Sequence, residues 1–223
     1  MIRRTLLIAS ALVMLLGLAV IDAQAATIWT DWESASTSGS ATGTLGGVGV
    51  SYAGEVAGSI INGTSNIWAP DSSFTGGTVT TSPSVVKDDI RLDGAAGTNT
   101  LTFSAPVQNP VFAIWSLGQP GLAASFNFDA TPTLQAGGPN SIYGGGPITV
   151  LGNVVSGNEG NGVVQFSGTF SSISWTDTPE HFYAFTVGMN GPLGPPTAVP
   201  EPATLILLGS GLTGLAWRLR KQR

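Results

Sequence analysis

Turn-forming clusters cut the middle of this chain into strand-sized pieces. LGQPG, TPT, AGGPN, YGGGP, SGNEGNG and TDTPE separate short apolar runs, which recur about every ten residues. Between them, NTLTFS puts Leu101 and Phe103 on one face, and ASFNF does the same with Phe126 and Phe128. GVVQFSG aligns Val164 with Phe166, and HFYAFTVGM aligns Tyr183, Phe185 and Val187. VFAIWS is apolar without a break, as a strand covered on both faces would be. No stretch of the body holds a 3.6-residue period long enough for a major helix. The spacing predicts an all-β fold, an antiparallel β-sandwich of jelly-roll-like form over residues 26–190. TIWTDWES reads as a first strand and TLGGVGVSYAGEV as a second. From Ser59 to Gly97 the alternation loosens into an expected long loop with short strands, the kind of segment that carries binding sites on a rigid sandwich.

Composition agrees and removes several chemistries. The 223 residues include 31 Gly and 14 Pro, which oppose helices, and no Cys. Disulfides, thiolate nucleophiles and zinc–thiolate sites are therefore excluded. His181 is the single histidine, so a multi-histidine metal site is excluded as well. Charge is partitioned along the chain. Lys87 and Arg91 are the only basic residues between Ala26 and Val199, against eleven acidic ones. Such a body repels nucleic acid, whose backbone is bound by clustered Lys and Arg.

The two ends differ from the middle. Arg3 and Arg4, then an apolar run from Leu6 to Ile21, then Ala23-Gln24-Ala25 form the three parts of a secretory signal peptide over 1–25. Cleavage after Ala25 or Ala26 is expected, the segment being a signal helix before removal. At the other end, GPLGPPTAVP reads as a stiff spacer over 191–199. Ala203 to Trp217 carries no charge. As a helix it would span roughly 22 Å at about 1.5 Å per residue, short against a bilayer core of about 30 Å. Arg218, Arg220, Lys221 and Arg223 follow as a basic stop-transfer tip that stays in the cytoplasm. The expected topology is body outside, a short transmembrane helix, tip inside.

Pro200, Glu201 and Pro202 precede that run as a stiff, extended, exposed triplet at the membrane surface. Pro-Glu-Pro, a short apolar run and a terminal Arg cluster together resemble the PEP-CTERM sorting signal, here over 200–223. The resemblance implies export across the inner membrane of a Gram-negative bacterium and recognition by an exosortase. It also implies delivery to the cell surface or extracellular matrix, often beside exopolysaccharide. GTNTLTFSAPVQNPVFAIWSLGQPG and GNEGNGVVQFSGTFSSISWTDTPEHFYAFTVGMNG look like an ectodomain that recurs in PEP-CTERM proteins. That likeness supports the sandwich and supplies no catalytic residues.

Chemistry inside the body is sparse. His181 lacks a G-x-S-x-G partner motif, and a rim or structural role is the expectation. Glu159 and Glu180, or Asp177, are the carboxylates that a glycan hydrolase could pair, although sequence does not bring them together. Asp88, Asp89 and Asp93 in KDDIRLDG are candidate oxygen donors for calcium, without the EF-hand register. Trp29, Trp32 and Trp68 are candidate flat platforms for sugar, with a core role as the alternative. The expectation is a non-enzymatic surface or matrix protein, structural or adhesive. A carbohydrate-binding module or a polysaccharide hydrolase is the alternative.

Overall fold

The computed structural model describes residues 26–94 and 97–191. The signal segment with Ala23 and Ala25, the spacer from 192, the Pro200-Glu201-Pro202 triplet, the expected membrane helix and the basic tip lie outside the described residues. Ala26 is an exposed residue immediately before the first strand.

The described chain is all-β, with two one-turn 3-10 segments and no α-helix. Its strands are β1 (Thr27–Trp29), β2 (Asp31–Ser36), β3 (Ser40–Leu45), β4 (Val48–Ala53), β5 (Gly58–Ile60), β6 (Asp89–Leu92), β7 (Thr98–Gln108) and β8 (Pro110–Leu117). They continue as β9 (Ala124–Phe128), β10 (Pro132–Gly137), β11 (Gly146–Pro147), β12 (Thr149–Leu151), β13 (Val154–Gly157), β14 (Gly160–Phe166), β15 (Thr169–Asp177) and β16 (Tyr183–Asn190). One sheet runs β10-β14-β8-β16-β6-β5, with β1 added against β16 and the two-residue β11 in parallel against β14. The other runs β12-β13-β9-β15-β7-β4-β3-β2. The remaining pairings are antiparallel.

The sheets close on a core of aromatic side chains. Phe112, Phe185 and Tyr183 from the first sheet meet Tyr52, Phe126, Phe128 and Trp175 from the second. Phe112 is the hub: it stacks on Phe185 at 5.0 Å and meets Trp175, Phe126 and Phe128 edge-on. Offset and T-shaped pairs of this kind add to what area burial alone contributes. With no disulfide, this packing is what holds the two sheets together.

Periodicity placed most of the strands, and the full burial of β8 agrees with its unbroken apolar run. The reason for burial on both faces is a second core on the outside of the first sheet. Val111, Ala113 and Trp115 of β8, with Val163 and Ala184, are covered by Trp29, Ile67, Trp68, Phe74 and Val79. The loosely patterned segment therefore forms a third layer between β5 and β6, which pair antiparallel at the sheet edge. Its polar groups are satisfied one by one, which leaves no period to read. Trp29 Nε1 donates to Thr81 O at 2.7 Å, Trp68 Nε1 to Asp88 O at 2.9 Å, and Asn140 Nδ2 to Ile67 O at 2.5 Å.

The N-terminal strands differ from the sequence expectation in two places. TIWTDWES is two strands in different sheets: the chain crosses at Thr30, whose N–H and hydroxyl both donate to Val187 O. Trp29 enters the outer core and Trp32 the inner one. TLGGVGVSYAGEV is part of a hairpin, with Gly46 and Gly47 at φ 55° and 93° turning β3 into β4. Positive φ at both positions matches the twist of a two-residue hairpin.

Candidate functional site

Thr27 pairs with Asn190, so the first and last strands meet at one end of the sandwich. β16 then leads eight residues away from that end, about 25 Å at about 3.3 Å per residue. The far end is where β8 stops and where β14 and β16 begin. There the loops after β8, before β14 and before β16 converge, bringing carboxylates from distant parts of the sequence together.

The convergence is built around Ser116 to Gly118. Trp115 and Ser116 oppose the single residue Asn161, a β-bulge that breaks the register between Leu117↔Gly160 and Ile114↔Gly162. Ser116 sits at φ 55°, and its N–H donates to Asn161 Oδ1 at 2.9 Å. Its hydroxyl donates to Glu159 Oε2 at 2.6 Å. Two residues on, the Gly118 N–H donates to Glu180 Oε2 at 2.6 Å, while Gly118 O accepts from the Glu159 N–H at 3.1 Å. Glu159 and Glu180, 21 positions apart in sequence, are thus tied to one strand end. Burial pushes the Glu180 carboxyl up to about 7, against the pull of the Gly118 N–H, and the nearby negative charge of Glu159 pushes it further the same way.

An aromatic group stands beside these acids on the outer face. Trp115, Tyr143 and Phe182 pack together, with ring centroids 5.5 Å apart for Trp115–Tyr143, 5.7 Å for Trp115–Phe182 and 6.3 Å for Tyr143–Phe182. Trp115 is buried and its indole N–H has no hydrogen-bond acceptor among the described residues. Tyr143 is 53% exposed on the turn Asn140–Gly144. That turn is pinned. Asn140 donates through Nδ2 to Ile67 O and Ala69 O and accepts from the Ile142 N–H, and Asn161 donates to Gly144 O. Gly145, at φ +74°, lies so close to Glu159 that a Cβ there would fall 2.6 Å from the Glu159 Cβ.

A second polar group occupies the same end between the sheets. Tyr52 and the Glu55 N–H donate to Asn99 Oδ1, and Asn99 Nδ2 donates to Asp177 Oδ2 at 3.0 Å. Asp177 is raised above the ordinary carboxylate range by burial, against the hydrogen bonds from Tyr183 and Asn99. Burial and the Asp177 charge raise the hydroxyl of Tyr183, as they do that of Tyr52. A cleft of about 340 Å³ opens over Gly54, Asn99 and Asp177.

The remaining sequence candidates fall elsewhere. Trp29, Trp32 and Trp68 are each buried, so none is a sugar platform; at the far end Tyr143 is exposed and Phe182 is half-buried. The signal for Tyr143 was an aromatic residue inside a glycine-rich turn, GPNSIYGGG. His181 is exposed between Glu180 and Phe182. The three aspartates are not gathered. Asp88 accepts from the Trp32 and Gly63 N–H groups, and Asp89 pairs with Arg91 at 2.9 Å and accepts from Ser65. Asp93 is tied through its main chain to Glu55 and Glu180. Among the described residues no three His, Cys, Asp or Glu side chains form a group that could hold a metal. With Asp88 and Asp89 committed to internal donors, the calcium expectation gains no geometric support.

The class of protein is set by the C-terminal segment. Residues 198–221 match the PEP-CTERM protein-sorting motif. The motif implies export through the membrane toward the cell surface and processing by exosortase, a membrane enzyme. No curated protein and no solved structure matches the chain.

Proposed function

We propose that the mature protein is a non-catalytic surface or extracellular-matrix component with a structural or adhesive role, associated with exopolysaccharide after a transient stage in the inner membrane. The observation that supports this is the polarity of the sandwich. Its terminal strands β1 and β16 pair at one end, and the sorting motif follows β16 in sequence. The opposite end carries half-exposed aromatic rings beside carboxylates. A body oriented this way presents its recognition chemistry away from the end that leads to the membrane.

A hydrolase is the second reading, favoured by one observation. Glu180, raised to about 7, stands near Glu159, and a carboxyl that keeps its proton near neutral pH beside a second carboxyl is what acid-assisted glycoside cleavage needs. A panel of polysaccharides separates the two. The exported protein is expected to retain at least one polymer without releasing reducing ends. Release of reducing ends that Glu180→Gln abolishes would establish the hydrolase, and failure to retain any polymer would remove both readings.

A further inference from the structure

Charge narrows the kind of glycan that the far end can take. The body holds eleven acidic residues against Lys87 and Arg91, so a polymer of uronic or sulfated sugars meets repulsion on approach. At the bulge, Glu159 and Glu180 each use Oε2 for an internal donor. Neither Oε1 takes a hydrogen bond among the described residues. Beside them Tyr143 offers a ring face on a pinned turn, backed by Trp115 and flanked by Phe182. The Trp115 indole N–H lies buried there without an acceptor among the described residues.

Resting on the glycan-binding reading above, we propose that this site binds a sugar carrying a free, protonated amino group. Its ammonium would sit between Glu159 and Glu180, and its ring would lie against Tyr143 and Phe182. The chemistry is complementary on both counts. An ammonium supplies donors to carboxylate oxygens that lack them and relieves the repulsion between the two acids. The aromatic faces attract both the cation and the C–H face of the sugar. The pinned Asn140–Gly144 turn holds Tyr143 in place before binding, which lowers the entropic cost of ordering it.

The test compares three oligosaccharides of equal length on the full exported protein by calorimetric titration: glucosamine, N-acetylglucosamine and galacturonic acid oligomers. Glucosamine is expected to bind about tenfold or more tightly than its acetylated form, the scale of one charge-assisted hydrogen bond. Galacturonic acid should bind weakest. Tyr143→Leu keeps an apolar contact on Trp115 but removes the ring face. It should weaken glucosamine binding about tenfold, and Tyr143→Phe should restore it. Glu180→Gln should erase the preference for the free amine while leaving the fold intact by circular dichroism. Equal binding of the free and acetylated oligomers overturns the proposal. Amine-selective binding that neither variant alters keeps the glycan reading and overturns this site. No binding of any oligomer or polymer overturns the glycan reading itself.

Discussion

Phe112→Ala is expected to destabilise the sandwich by about 3–5 kcal/mol, the range for emptying a buried phenylalanine site. The ring touches Phe185, Trp175, Phe126 and Phe128, so it joins neighbouring strands of one sheet to two strands of the other. The walls of the hole are themselves large rings fixed by their own partners, which limits collapse into it. A domain of ordinary stability has about 5–15 kcal/mol in total, and the chain contains no cysteine to offset the loss. The urea midpoint, followed by circular dichroism, should fall sharply or the protein should be recovered unfolded. Val85→Ala, at a 63% exposed position, should stay within about 0.5 kcal/mol. A Phe112→Ala midpoint matching the wild type would mean that the two sheets do not close on this residue.

The second large effect is a loss of stability as pH rises. Glu180, Asp177 and Asp88 are all raised above their ordinary values, in each case chiefly by burial. A raised carboxyl binds its proton more tightly in the folded protein than in the unfolded chain. Its stabilising contribution is complete below the unfolded values of about 4 and is lost as pH climbs through the folded value. For Glu180 that loss extends to about 7. The melting temperature should therefore be lower at about pH 8 than at about pH 5. Glu180→Gln removes one titration and keeps an acceptor for the Gly118 N–H. Its curve should flatten at the upper end and cross above the wild type near neutrality. A wild-type melting temperature that rises over this window, or a variant curve parallel to it, would contradict the charge assignment at the bulge.

How much of this was legible in the sequence depends on the range of the interaction. Strands such as β8, β9 and β16 could be read because their burial writes a local pattern: continuous in VFAIWS, alternating in ASFNF. The covering layer could not. Trp68 and Phe74 are buried by a packing partner, the outer face of β8, that no local period encodes. The site is less legible still. Glu159 and Glu180 meet because β14, β8 and β16 are neighbours in one sheet, and because a bulge at Ser116 turns its hydroxyl to Glu159. Neither fact leaves a mark at the acids themselves. KDDIRLDG, read as a set of candidate calcium donors, shows its carboxylates divided among separate internal partners. Asp88 precedes β6 and accepts from the Trp32 and Gly63 N–H groups, while Asp89, the first residue of β6, accepts from Ser65 and pairs with Arg91.

The sorting motif was legible in full because its recognition depends on order along the chain: the Pro-Glu-Pro triplet, the uncharged run and the basic tip. It also carries the central claim, that this acidic sandwich is made to leave the cell and lose its tail. Intact mass spectrometry of the protein recovered from the cell surface or medium tests this most directly. The account predicts a chain that lacks both the segment before Ala26 or Thr27 and the residues from Leu205 to Arg223. A recovered wild-type chain that still carries Leu205 to Arg223 would contradict it.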